Sequence, residues 1–240
     1  MEKQETNGSI IITTPIAILI SGVLIAGAIF FTGDINKISG TKTKTDKKTE
    51  EIINIQPINK QDHIRGNFNA PIKIVEFSDT ECPFCKIFHS TMNQVMADYM
   101  ESGEIAWIYR HYPLENLHRN AKVEAIATEC AGGLGGNNMF WAYLDKIFET
   151  TKSNDGLDLD LLPQIAEELG LDRNEFQNCL NEEKHNDKVE ADANDAILAG
   201  ANGTPYSVLI TSDGKMIALP GAQSYVSIKS AINLALQNKK

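Results

Sequence analysis

Two cysteines separated by two residues carry the most evident chemistry in this sequence. Cys82 and Cys85 enclose Pro83 and Phe84, so the segment reads Cys-Pro-Phe-Cys. Two thiols at this spacing on a helix lie about one turn apart, so they can form an intramolecular disulfide and exchange it with another protein. The predicted chemistry is thiol–disulfide exchange, with Cys82 as the nucleophile and Cys85 as the thiol that resolves the mixed disulfide.

The segments on either side of this motif predict a strand followed by a helix. Residues 72–77, IKIVEF, are apolar and β-branched, which is typical of a buried strand. After the motif, apolar residues recur at helical spacing as far as Tyr99, and Pro83 would occupy the first helical position. Cys82 would then lie at the helix N-terminus, where unpaired amides and the positive end of the helix dipole favour a thiolate.

A zinc site and two inert buried thiols are the alternative interpretations of this pair. A structural zinc site needs four ligands, usually supplied by two closely spaced pairs. Cys130 and Cys179 are each isolated in the sequence. His89 could share a helix face with Cys85, but we expect it to be a partly exposed helix residue. We therefore predict no metal and no cofactor.

The remainder of the chain predicts an α/β domain over residues 61–240. Residues 104–112 form a second strand pattern, and a helical tract follows at about 114–200. Two short strand patterns then flank the turn Ser212-Asp213-Gly214, and an amphipathic helix ends the chain. The predicted order is strand–helix–strand, helices, strand–strand–helix.

The N-terminal part of the chain predicts a membrane anchor and a tether. From Ser9 to Phe31 there are 23 residues without a charge, enough to span a hydrocarbon core of about 30 Å as a helix. We expect an N-terminal segment 1–32 with a transmembrane helix at about 10–31, and a flexible linker at 33–60. A cleaved signal peptide is the alternative, because Ala26-Gly27-Ala28 resembles a cleavage site.

Charge limits the class of partner. The formal net charge is −10, which argues against a nucleic-acid binder, since such a protein needs a basic face. Five lysines between residues 37 and 48 follow the predicted transmembrane helix. Taken alone, they favour a cytoplasmic location for the domain.

These features together resemble the thioredoxin superfamily. The resemblance rests on the element order, on the Cys-Pro-Phe-Cys motif after the first strand, and on Thr204-Pro205 before the hairpin. The inserted helical tract resembles the DsbA-like thiol–disulfide oxidoreductases. Segments that also resemble that branch, within a likeness covering roughly 62–240, are 110–121, 129–148 and 176–180.

The resemblance implies a thioredoxin-like fold with an inserted helical subdomain, and it implies roles for several residues. Pro205 would be the cis-proline beside the redox pair, and the backbone of Thr204 would pair with a client protein, meaning a protein whose disulfides are exchanged. The residues expected to contact clients are Pro83, Phe84, Thr204 and Pro205.

Glu76 matches the buried acid that lies beneath the active site in this family. A carboxylate there could exchange protons with Cys85; an ordinary carboxylate at a strand end is the alternative. The sequence departs from the strongly oxidising members, which have Pro-His between the cysteines. Phe84 cannot stabilise a thiolate by charge, so we expect a less oxidising couple.

Cys130 and Cys179 predict a structural disulfide within the helical tract, although two unpaired buried cysteines are the alternative. Closing a loop of this length would contribute about 4 kcal/mol in the loop-entropy model. Disulfides persist in oxidising compartments. We therefore expect the domain to lie outside the cytoplasm, although the lysines after the predicted transmembrane helix favour the opposite orientation.

The function expected from the sequence is that of a membrane-anchored, extracytoplasmic thiol–disulfide oxidoreductase at the cell membrane. It would promote disulfide formation in translocated proteins, and the family implies recycling by a quinone-linked membrane oxidase. Reductase or isomerase activity stays open, as does a tethered peptide-binding or chaperone module without turnover.

Overall fold

The computed structural model describes residues 53–237. The predicted transmembrane helix at about 10–31 and most of the predicted linker lie outside these residues. None of the helices within 53–237 combines the length and apolar character needed to span a bilayer.

A five-stranded sheet forms the centre of the described part of the chain. Its strands are β1 (His63–Gly66), β2 (Ile72–Ser78), β3 (Ile105–His111), β4 (Tyr206–Ile210) and β5 (Met216–Pro220). They lie in the order β1-β3-β2-β4-β5. Only the central β2–β3 pair is parallel among these neighbours. β2 is buried on both faces, and four of its seven residues are large and apolar.

Helices cover the sheet and form the insertion. They are α1 (Pro83–Tyr99), α2 (Ala121–Thr150), α3 (Leu162–Glu168), α4 (Arg173–Asn181), α5 (Asn186–Leu198) and α6 (Tyr225–Gln237), with a 3-10 turn at Leu159–Leu161. The predicted α/β domain with a helical insertion, and its element order, are confirmed. The sequence analysis did not predict β1, a short edge strand that pairs with β3.

Strand alternation separates the apolar side chains of β2 into two clusters. Ile72 and Ile74 pack towards α1 and α6, whereas Val75 and Phe77 pack on the opposite face, where α5 lies. Successive side chains on a strand point to opposite faces of the sheet. Glu76 therefore points to the same face as Ile72 and Ile74, the face that α1 covers.

Residues 53–58 fall within the predicted linker, yet they contact the domain. Ile55 is buried against the α5 face of the sheet. The amide of Gln56 donates to Asp195 at 2.7 Å, and its carbonyl accepts from Arg110 at 3.1 Å. Arg110 also pairs with Asp62 at 2.8 Å. These contacts join the start of the described chain to β3 and α5.

The helical insertion has its own apolar core and contains the predicted disulfide. Cys130 of α2 and Cys179 of α4 are bonded, with their Cα atoms 5.9 Å apart. Both cysteines belong to a cluster that includes Tyr143 and Phe176. The disulfide therefore joins two helices of the insertion rather than the insertion to the sheet.

Removing this disulfide should lower stability. The double substitution Cys130→Ala and Cys179→Ala frees a loop of 49 residues, and should lower the free energy of unfolding by about 4 kcal/mol at most. Urea denaturation without reductant measures the change. As a control, reductant should lower the stability of a Cys82→Ser, Cys85→Ser protein by a similar amount. A loss below about 1 kcal/mol in both experiments would contradict a stabilising role.

Candidate active site

The backbone places Cys82 at the N-terminus of α1. Cys82 is the N-cap residue, Pro83 is the first helical residue, and the Cys82 carbonyl accepts the amide of Lys86 at 3.1 Å. Proline is suited to this position because the first helical amides have no partner within the helix. Cys82, the predicted nucleophile, thus lies at the helix N-terminus, where the sequence places it.

Local groups favour the ionised form of Cys82. They lower the pKa of Cys82 to about 6, chiefly because the Cys85 thiol donates a hydrogen bond to the thiolate. Burial opposes this shift, while the side chain of Thr204 and the amides of Cys85 and Phe84 add to it. Cys82 is 5% exposed, so a narrow edge of this residue reaches solvent.

Cys85 has the opposite character. It is completely buried, and burial raises its pKa well above the usual value of a thiol, with further increases from the Cys82 thiolate and the charge of Glu76. The amide of Asp79 lies 3.4 Å from its sulfur. At neutral pH one cysteine of the pair is therefore a thiolate and its neighbour is a protonated thiol.

Thr204 and Pro205 reach the redox pair from the start of β4. The Thr204–Pro205 peptide bond is cis, as the family resemblance implied. The carbonyl of Thr204 lies 3.5 Å from the sulfur of Cys82. The structure thus brings together residues separated by more than a hundred positions in the chain.

Glu76 lies in the middle of β2 and is completely buried. Its Oε2 accepts a hydrogen bond from the indole of Trp107 at 2.8 Å, and its Oε1 has no partner among the described residues. Burial raises the pKa of Glu76 to about 7. This carboxyl can therefore gain or lose a proton near neutral pH, unlike an ordinary strand-end carboxylate.

The outer surface of α1 is apolar beside the cysteines. Phe84 and Ile87 are each 60% exposed, and Pro83 is half-buried. Exposed apolar side chains next to a reactive group are typical of a binding surface. Of the residues predicted to contact clients, Phe84 is the most accessible, while Pro205 is buried.

His89 differs from its predicted environment. It is buried rather than partly exposed, because its ring stacks on Phe148 and its Nε2 lies 2.6 Å from Asp145. It therefore pairs with a carboxylate of α2 instead of lying at the surface beside Cys85.

The structure adds two residues that the sequence analysis did not single out. Asp79, in the turn before the motif, is buried, and its Oδ2 lies 2.8 Å from Nδ1 of His118. His118 belongs to the loop between β3 and α2. Asp79 resembled an ordinary turn residue, and no local spacing linked His118 to the cysteines. Only the pairing of β2 with β3 brings the two loops together.

Comparison with known proteins assigns the family. A family model described as thioredoxin matches residues 58–233. The chain belongs to this thioredoxin family. The Na(+)/H(+) antiporter NhaA 1 of Salinispora arenicola is 32% identical over 145 residues, which are 60% of this chain and 21% of the antiporter. An NhaA 1 from Mycobacterium sp. strain KMS is 29% identical over 77% of this chain and 29% of its own length. The chain thus spans less than a third of these relatives.

Solved structures place this thioredoxin-family protein near the DsbA fold. DsbA2 of Pseudomonas aeruginosa matches with a TM-score of 0.64 and 26% identity over 76% of this chain and 99% of that one. BdbD of Bacillus subtilis matches with a TM-score of 0.66 and 23% identity, over 78% and 98% of the two chains. The second likeness concerns the fold alone. Of these two matches, the one to DsbA2 supports an oxidoreductase role for this protein.

The ionisation of Cys82 can be measured directly. Thiolate absorbance at 240 nm should rise with a midpoint near pH 6 in the reduced protein. Replacing Cys85 by Ala should raise that midpoint by about one unit or more, because the main hydrogen-bond donor to the thiolate is lost. Cys82→Ser is the control and should abolish the step. A thiol that stays protonated beyond pH 8 would contradict this description of the site.

The pKa of Glu76 predicts how stability depends on pH. Its pKa rises on folding from 4.5 to about 7, so the folded state holds the proton more tightly, and the stability from this group is lost as pH rises from 4.5 through 7. Glu76→Gln removes this loss. The change that the substitution makes in the free energy of unfolding should therefore be more favourable at pH 8 than at pH 4, by about 3 kcal/mol. Urea denaturation at both pH values tests this. An equal effect at the two values would contradict the shift.

Proposed function

We propose that this protein is a thiol–disulfide oxidoreductase that forms disulfides in client proteins through Cys82 and Cys85. The observation that carries the proposal is the unequal ionisation of two thiols within one helical turn. A sulfur that is stable as a thiolate is a good leaving group. The Cys82–Cys85 disulfide is therefore readily transferred to a client, because its reduction produces the stabilised Cys82 thiolate.

In the forward reaction a client thiolate attacks the sulfur of Cys82. The Cys82–Cys85 bond breaks, a client–Cys82 disulfide forms, and Cys85 leaves and takes up a proton, because its pKa lies far above neutrality. A second client thiolate then attacks the client sulfur and releases the Cys82 thiolate. The client is oxidised by two electrons, and the Cys82–Cys85 pair is reduced by two.

Glu76 is suited to supply the proton that Cys85 needs. It lies on the α1 face of the sheet, it raises the pKa of Cys85 through its charge, and its own pKa of about 7 allows both protonation states at neutral pH. In the reverse direction the same carboxylate would accept the proton when Cys85 resolves a mixed disulfide.

Client binding is proposed at the surface around Cys82. The exposed side chains of Phe84 and Ile87 offer apolar contacts, and the Thr204 backbone lies beside the sulfur of Cys82. An extended peptide that pairs with this backbone would place a client cysteine near Cys82.

The proposed location is the extracytoplasmic face of the cell membrane. The Cys130–Cys179 disulfide supports an oxidising compartment, and the uncharged run from Ser9 to Phe31 supports a membrane anchor. The oxidant that restores the Cys82–Cys85 disulfide would then be a quinone-linked membrane oxidase. Its quinone would accept the two electrons.

Trapping of intermediates tests the proposed function. The Cys85→Ser protein lacks the resolving thiol, so its Cys82 thiolate should attack the disulfides of oxidised or scrambled client proteins and accumulate as mixed disulfides with them. Non-reducing gels with mass spectrometry detect them. Cys82→Ser is the matched control and should trap none, because Cys85 is buried. If the wild type neither oxidises dithiol peptides nor reduces insulin above the double serine variant, the chain is a binding module without turnover.

A further inference from the structure

We propose that Asp79 and His118 form a positioning pair for the nucleophile, in which Asp79 holds a protonated His118 whose charge stabilises the Cys82 thiolate. The inference deepens the proposed function and rests on it. It assigns to His118 the cationic part in the site that Phe84, between the two cysteines, cannot supply.

The first step is the geometry of the Asp79 carboxylate. This group is buried, and three donors surround it: Nδ1 of His118 at 2.8 Å, the amide of Leu114 at 2.8 Å and the amide of Glu81 at 2.8 Å. These hydrogen bonds replace those that burial removes from a polar group. The Asp79 side chain therefore fixes the ring of His118 and the loop that carries it.

The second step is that the backbone of Asp79 contacts both cysteines, Cys85 through its sulfur and Cys82 through its amide. Its amide lies 3.4 Å from the sulfur of Cys85, and its carbonyl accepts the amide of Cys82 at 3.2 Å. One residue thus links the ring of His118 to the two cysteines. A change in this residue's position would move the N-terminus of α1 and the sulfur of Cys82.

The third step is the charge of His118. Burial disfavours the imidazolium, but the Asp79 carboxylate and the Cys82 thiolate outweigh it and raise the pKa of His118. Energetic coupling between two sites is reciprocal. If the thiolate stabilises the imidazolium, the imidazolium stabilises the thiolate by the same free energy.

Other charged groups near the pair do not reverse this effect. Asp155 also faces His118 and raises its pKa; it is itself paired with Arg119 at 3.3 Å. Glu81 and Glu124 lie near Asp79. Burial raises the pKa of Glu124 to about 10, so this carboxyl is neutral at pH 7.

Substitution of His118 by Asn tests the proposal. An Asn side chain can keep a donor where Nδ1 was, so Asp79 stays paired while the charge is lost. The midpoint of thiolate absorbance at 240 nm should then rise from its value near 6 by roughly half a unit, less than in Cys85→Ala, which loses the main hydrogen-bond donor. The matched control is His89→Gln, which alters another His–Asp pair, one with a half-exposed aspartate. It should leave the midpoint unchanged.

The equilibrium with glutathione provides a readout that a merely structural role would not change in this way. A thiolate pKa half a unit above 6 makes the disulfide less oxidising by about 2.5-fold at pH 7, and the difference should vanish below pH 5, where Cys82 is protonated in both proteins. A midpoint shift below about 0.3 units, or equal shifts in His118→Asn and His89→Gln, would overturn the proposal.

A second measurement needs no substitution. Oxidation of Cys82 and Cys85 removes the thiolate, so the pKa of the His118 ring, measured by NMR titration, should be lower in the oxidised than in the reduced form. The pKa of His89 should be the same in both forms. An unchanged His118 would overturn the proposal even if the variants failed to fold. Neither measurement involves a client. The proposal can therefore fail while turnover persists, or hold in a protein without turnover.

Discussion

Unequal solvation of two sulfur atoms one helical turn apart is the constraint that the remainder of the site depends on. Cys85 lies in the apolar layer between α1 and the sheet, where its thiol stays protonated and donates to Cys82. Cys82 lies at the end of the helix, where amides converge on its sulfur. The geometry requires α1 to start at this point and to pack closely on β2. Pro83 satisfies the first requirement, and the apolar face of α1 satisfies the second.

Several carboxyl groups are buried near the two cysteines, and burial of such groups is costly unless hydrogen bonds or protons compensate them. Asp79 has three donors, and Glu124 is neutral because of its raised pKa. Glu81 accepts hydrogen bonds from Thr151, Gly156 and Leu157. The last three residues follow α2, so the helical insertion holds the turn that precedes Cys82. The insertion therefore helps to fix the conformation of this turn.

The local pattern of the sequence predicted β2, α1, the hairpin and the position of Cys82 because each depends on residues close together in the chain. Hydrophobic periodicity and helix-end preferences act at that range. By contrast, β1 has four residues with little apolar character, and pairing with β3 decides its conformation. The helix pattern predicts a partly exposed His89, because local spacing does not show its partner. That partner, Asp145, belongs to α2.

The sequence by itself determined the Cys-Pro-Phe-Cys motif at a helix start and the α/β order of elements, since these follow from residue types and short-range spacing. It predicted the Cys130–Cys179 disulfide with two unpaired cysteines as the alternative, because the two residues lie far apart in the chain. Tertiary structure alone decided the ionisation of the groups around the pair. Glu76 became a carboxyl that titrates near neutrality because strand alternation and the packing of α1 removed it from water. His118 met Asp79 because two parallel strands end at the same edge of the sheet. Burial and long-range pairing set the free energy of a charge, and neither can be obtained from neighbouring positions in the chain.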